Sequence, residues 1–85
     1  MTYVLNEIDL HHMTSEEADF LLDQYLHDAF MAGKMRVKII HGKGTGTLRQ
    51  VVSKALAVHP LVRSYRLAEY GEGGDGVTIA ELVMK

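Results

Sequence analysis

The chain has 85 residues, 47% of them hydrophobic, and carries nine Lys and Arg against eleven Asp and Glu for a formal charge of −2. That length allows one domain with a modest core and excludes two, and the hydrophobic content excludes a disordered tail. The absence of cysteine excludes a disulfide framework and a thiolate metal centre, which accords with the cytoplasm, and no apolar run approaches the ~18 residues of a membrane span. A soluble domain over residues 1–85 is expected. The abrupt Met-Thr-Tyr-Val start and the end just behind an alternating strand fit a piece excised from a longer protein.

Tyr3 to Leu10 is a mixed apolar run that reads as a first strand, closed by His11 and His12. Thr14-Ser15-Glu16-Glu17 is a capping box, in which Thr14 accepts from an early N–H and Glu17 reaches back to the cap. Apolar positions then recur at Ala18, Leu21, Leu22, Tyr25, Leu26, Ala29 and Phe30, a helical stripe that Gly33 terminates. Arg36 to Ile40 is a second strand. A glycine-rich turn from His41 leads into a second helix that starts near Thr47, presents Leu48, Val51, Val52, Ala55 and Leu56 on one face, and stops at Pro60. Ser64 to Ala68 is a short third strand. After a turn from Tyr70 to Gly76, Val77 to Met84 forms a fourth strand antiparallel to the third.

This βαβαββ order predicts a two-layer α/β sandwich, with a mixed four-stranded sheet, two helices and right-handed crossovers. The five Met residues and the Tyr and Phe side chains are expected to fill the core. His27 is expected on the solvated face of the first helix, and His59 at the end of the second, where positive charge complements the dipole.

His41 to Arg49 reads His-Gly-Lys-Gly-Thr-Gly-Thr-Leu-Arg, between a strand and a helix. Gly42, Gly44 and Gly46 are expected to carry the backbone through positive φ and to let it approach a ligand, while amides at Thr45, Thr47 and the helix start point at an anion. Lys43 and Arg49 add cations suited to a phosphate. His41 stands beside them, a residue type that moves protons near neutral pH. Asp9 and His11 at the end of the first strand share a face as an i, i+2 pair. If the first two strands are parallel, Asp9, His11, His41, Lys43 and the turn amides open on the same sheet edge and converge on one phosphodiester.

Charge is segregated along the chain. From Lys34 to Arg66 there are eight basic residues and no acid, a segment of +8, whereas residues 1–33 hold seven acids and no Lys or Arg. In a small fold this predicts a polarised surface that attracts a polyanion.

These residues carry a family resemblance. Ile8-Asp9-Leu10-His11 resembles the Leu-Asp-Leu-His signature of the Smr (small MutS-related) domain, His41-Gly42-Lys43-Gly44-Thr45-Gly46 matches its His-Gly-x-Gly-x-Gly signature, and Gly73 to Thr78 is similar to its last glycine-rich turn. His59-Pro60-Leu61-Val62 and Gly71-Glu72-Gly73-Gly74 make the chain most similar to the carboxy-terminal Smr domains of the second class of bacterial MutS proteins. The chain departs from the family at His12, where the signature usually continues with glycine. The resemblance implies a fold similar to the carboxy-terminal domain of translation initiation factor three, covalent linkage to MutS-like ATPase domains, and nucleic-acid binding with DNA nicking or RNA cleavage.

Rival motifs are weak. The glycine turn lacks the Gly-Lys-Ser/Thr ending of a nucleotide-binding loop and is one residue short of the dinucleotide fingerprint, so no nucleotide cofactor is indicated. Asp9 with one adjacent histidine leaves room for a divalent ion such as Mg or Mn, and no structural zinc site is expected. Two functions remain open. The chain is read first as a phosphodiesterase module acting on DNA or RNA through Asp9, His11 and His41, with Gly42, Lys43, Gly44, Thr45, Gly46, Thr47 and Arg49 holding the phosphate. The alternative is a non-catalytic module that docks a larger ATPase on nucleic acid or the ribosome. In that reading Asp9 caps a strand end and His41 tethers the glycine turn.

Overall fold

The computed structural model describes residues 6–44 and 46–85. Strand β1 (Glu7–Asp9) leads through helix α1 (Ser15–Met31) to β2 (Arg36–Ile40), and helix α2 (Thr47–Val58) leads to β3 (Val62–Leu67). Two short 3-10 turns, at Tyr70–Glu72 and Gly74–Gly76, then enter β4 (Val77–Leu82). The sheet order is β1-β2-β4-β3, with β1 and β2 parallel and β4 antiparallel to both its neighbours. It is the mixed four-stranded sheet with two helices that the order of elements predicts. Of the expected first strand, residues 3–5 lie outside the described residues. The third strand begins two residues earlier than its apolar pattern indicates, with a pairing irregularity between Val62 and Ser64.

Local chemistry sets the helix ends. The Glu17 amide donates to the Thr14 hydroxyl at 3.1 Å and the Thr14 amide to the Glu17 carboxylate at 3.0 Å, a complete capping box. Those bonds, the backbone one first, hold the Glu17 carboxyl below its usual value. At the other end Gly33 adopts φ 78, and the amides of Gly33 and Lys34 close on the carbonyls of Phe30 and Ala29, a Schellman stop. α2 ends at Val58 because His59, which precedes Pro60, is held extended.

Parity along the strands sorts the two faces of the sheet. Val37 and Ile39 on β2 and Ala80 and Leu82 on β4 join Leu22, Tyr25, Leu26, Val52 and Leu56 of the helices in the main core. Burial of each such Leu is worth about 1.5–3 kcal/mol. The opposite face carries only a small cluster of Ile40, Ala68, Val77 and Ile79. Arg36, paired with Glu81, and Lys38 and Arg66, both paired with Ile79, stand on that helix-free face.

Several expectations change. Among aromatic and Met side chains, Tyr25 alone is fully buried among the described residues, while Met13 and Phe30 pack at the core's edge and Phe20, Met31, Met35, Tyr70 and Met84 are exposed. A domain of this size has too little interior for them, and aliphatic residues take the places. The basic segment is partly neutralised by acids from outside it. Arg36 pairs with Glu81 at 2.6 Å, Arg63 lies 3.8 Å from the same carboxylate, Arg66 forks onto Glu72, and Lys43 lies 3.6 Å from Asp75. The acids that neutralise it come from residues 72–81, downstream of the basic stretch itself.

Candidate functional site

The parallel pairing of β1 with β2 brings their carboxyl ends together, and the Leu10 amide donates to the Ile40 carbonyl at 2.7 Å. Beyond this point two turns face one another across a cleft of about 470 Å³. One wall is His11, His12, Met13, Thr14 and Ser15; the other is formed by residues 41–44 and 46–49. The walls touch at their base, because a Cβ built on Gly42 would meet the His11 Cβ at 3.3 Å. Gly42 adopts φ 81, so both conformation and space select glycine there.

Asp9 and His11 form a dyad. The Asp9 carboxylate accepts from the His11 ring at Nδ1 and from the His11 amide at 3.1 Å. A carboxylate only accepts, so Nδ1 carries the proton and, in the neutral ring, Nε2 is left as the acceptor of a side chain that lines the cleft. Burial pushes the Asp9 carboxyl up, but the two hydrogen bonds from His11 and the nearby charges of His11 and His12 outweigh it and hold the group below its usual value. Asp9 itself stands behind His11 rather than in the cleft wall.

His41 is placed differently. It is 3% exposed, with Nδ1 donating to the Gly42 carbonyl at 3.0 Å and Nε2 lying 2.9 Å from the Thr78 hydroxyl on β4. Both ring nitrogens are therefore bonded within the fold. The amides of His41 and Gly42 both donate to the Gly76 carbonyl at 3.0 Å, which straps the glycine turn to the entrance of β4. Sequence reasoning does not single out Gly76 and Thr78 as site residues, although Gly76 ends the glycine-rich turn and Thr78 lies just behind it at the start of β4.

The glycine turn ends in the left-handed Gly46, φ 86, which caps α2 without any side-chain hydrogen bond. No acid occupies the first turn of that helix, and Arg49 stands there instead. A cation in a first turn opposes the helix dipole, and an anion seated at this terminus would offset both. Lys43 reaches the rim and Thr47 lines the cleft, whereas Thr45 lies outside the described residues. Gly44 is corrected: its φ is not positive and a Cβ there would meet nothing within 4 Å. Gly42 and Gly46 carry the positive φ, and Gly44 lines the cleft between them.

The fit of a metal is decided by donors. The one group of three converging His, Asp or Glu side chains among the described residues is Asp23, His27 and His59, between α1 and α2 and outside the cleft. That group could hold a metal, but its atoms are already engaged. His59 Nδ1 accepts from the Leu61 amide at 3.2 Å, so its Nε2 donates to Asp23 at 2.8 Å, while His27 Nδ1 donates to the Asp23 carbonyl at 2.9 Å. His59 stands at the end of α2, where it is expected, and is there a nearly buried tie between the helices. His27 sits on the solvated face but edge-on to it, ring centres 5.4 Å apart. At the cleft, Asp9 is engaged by His11 behind the wall, and no carboxylate is among the described residues that line the walls.

No helix among the described residues is long and apolar enough to cross a membrane. The family model of the Smr domain matches residues 8–83. Among curated proteins, the chain is 56% identical over 79 residues to Endonuclease MutS2 of Clostridium novyi and 54% identical over 82 residues to that of Clostridium tetani, matches that cover 93% and 96% of this chain and 10% of each relative. It therefore spans about a tenth of the length of these relatives. Among solved structures, the Smr domain of Thermus thermophilus MutS2 superposes with a TM-score of 0.89 at 42% identity, covering 92% of this chain and 98% of that one. The stand-alone small MutS-related protein YdaL of Escherichia coli gives 0.87 at 26% identity, covering 94% and 66%. With the family model spanning residues 8–83 and relatives above half identical, the chain belongs to the Smr domain family.

Proposed function

We propose that this domain is a nucleic-acid-binding phosphodiesterase module, which nicks DNA or cleaves RNA as part of a longer MutS2-like protein. The observation that carries the reading is the Asp9–His11 dyad, whose ring faces the open α2 terminus across a shared cleft. A phosphate seated against the first turn of α2 is held by its amides, by Arg49 and by Lys43. His11 Nε2 takes the proton of the attacking hydroxyl as it adds to phosphorus, water in the case of DNA or the adjacent 2′-hydroxyl in RNA. Asp9 fixes the ring and stabilises the imidazolium, as in other carboxylate–histidine pairs. The amides and cations hold the charge that develops on the phosphorane oxygens. The bond to the leaving oxygen then breaks, and that oxygen takes up a proton from the imidazolium or solvent.

His41 takes a positioning role in this reading, since both its ring nitrogens serve the turn. The test is cleavage of branched DNA and structured RNA by the purified domain, with and without chelator. Cleavage of either by the wild type but not by His11→Ala supports the reading. Binding without cleavage on both substrates replaces it with a docking module, and cleavage abolished by chelator replaces the metal-free chemistry.

A further inference from the structure

His12 has the least ordinary backbone in the cleft. It is the one non-glycine residue among those described with positive φ, at 70°. A side chain in the left-handed region is strained, although histidine enters it more readily than most, and glycine would make the same turn without cost. The imidazole therefore contributes nothing that the turn requires. Nor is it held by the fold: no hydrogen bond reaches its ring among the described residues, and the residue is exposed. What the ring does touch is His11, its centre 4.3 Å away and its plane tilted by 51°. Both rings line the cleft.

Strain that no structural bond repays belongs to sites where the side chain meets a ligand. Building on the phosphodiester reading above, we propose that His12 is a substrate-contacting residue whose ring N–H donates to a phosphate of the bound strand from the wall formed by residues 11–15, alongside His11. The strand is then gripped from both walls, by His12 on one and by Arg49 and the α2 amides on the other. The side chain, not the turn, is the functional part of position 12.

The experiment compares His12→Gly, His12→Asn and Arg49→Ala with wild type, using fluorescence anisotropy on a labelled hairpin RNA and a labelled branched DNA, with a thermal melt for each protein. His12→Gly should keep or raise the melting temperature while weakening binding about tenfold, the loss of one hydrogen bond to a charged group. His12→Asn tolerates the same backbone and retains a donor, so it should recover most of the affinity. In wild type the carbon-bound ring proton signals of His12 should shift when either oligonucleotide is added, a readout that needs no variant. Unchanged binding by His12→Gly, with weakened binding by Arg49→Ala, overturns this inference and leaves the parent reading standing. Failure of the wild type to bind either oligonucleotide overturns both.

Discussion

The hydroxyl of Thr78 on β4 lies 2.9 Å from Nε2 of His41 at the end of β2, and so joins the ring that anchors the glycine turn to the central strand of the sheet. Both residues are buried, His41 at 3% and Thr78 at 1% exposure. Thr78→Val preserves shape and removes the partner, which leaves a buried ring nitrogen unsatisfied. The domain should lose about 1–3 kcal/mol of stability by chemical denaturation, with a looser turn and weaker phosphate binding. A loss below about 0.5 kcal/mol, within the range of surface substitutions, would mean that the ring is satisfied without Thr78.

Gly46 and Gly44 of the turn should not behave alike. Gly46→Val forces a β-branched residue into φ 86 and should cost about 1–2 kcal/mol or more, with loss of binding as the cap of α2 is displaced. Gly44→Ala meets open space at an ordinary φ and should stay within about 0.5 kcal/mol of wild type. Denaturation of both variants checks the contrast, and equal costs would contradict it.

How much of this is legible in the sequence follows from how local each signal is. The capping box at Thr14, the stop at Gly33 and the strand Arg36–Ile40 are written in neighbouring residues, and the structure has them where the pattern puts them. The pairing of Asp9 with His11 follows from strand parity. The role of His41 depends on Thr78, 37 positions away and on a different strand, so its spacing from the glycines can only leave base and tether open. Glu81 meets Arg36 across the sheet and Asp75 meets Lys43 from a turn distant in the chain, pairings that charge counted along the chain cannot see, whereas Glu72 lies only six residues beyond Arg66. The end of α2 is a legible place for His59, but its partner is not, because Asp23 lies on the other helix.

Arg66 holds the turn before β4 by a fork on Glu72, at 2.7 and 3.1 Å. That hydrogen-bonded pair, with the Glu69 amide, brings the Glu72 carboxyl from 4.5 down to about 2 and raises Arg66 above its ordinary value. Since the folded value is the lower one, the contribution to stability is complete above about pH 4.5 and is lost as pH falls toward 2. Glu72→Gln should therefore flatten the acid limb of the stability profile in that window and leave the slope above it unchanged. The pair is exposed, so the effect should be small and should shrink in salt. An identical acid limb in wild type and variant would contradict the assignment.

Binding should depend on cations of the cleft and not on the basic segment as a whole. Arg49→Ala and Lys43→Ala should each reduce the salt slope of nucleic-acid binding by about one for every phosphate that the cation neutralises. Lys43 should have the smaller effect on affinity because Asp75 already attends it. Lys38→Ala, on the helix-free face, should change neither slope nor affinity by more than a small nonspecific amount. A salt series by anisotropy decides this, and a Lys38 effect equal to that of Arg49 would move the interface to the other face of the sheet.

The central claim is that the Asp9–His11 pair moves the proton while the opposite wall holds the phosphate. The most direct measurement is single-turnover cleavage beside equilibrium binding for wild type, His11→Ala and Asp9→Asn, each freed of contaminating nuclease. His11→Ala should lose cleavage by about a hundredfold or more, and Asp9→Asn, which removes the charge that supports the imidazolium, should fall in the same direction; both should bind within a few-fold of wild type. Cleavage that persists unchanged in both variants would remove the pair from the chemistry and contradict the account.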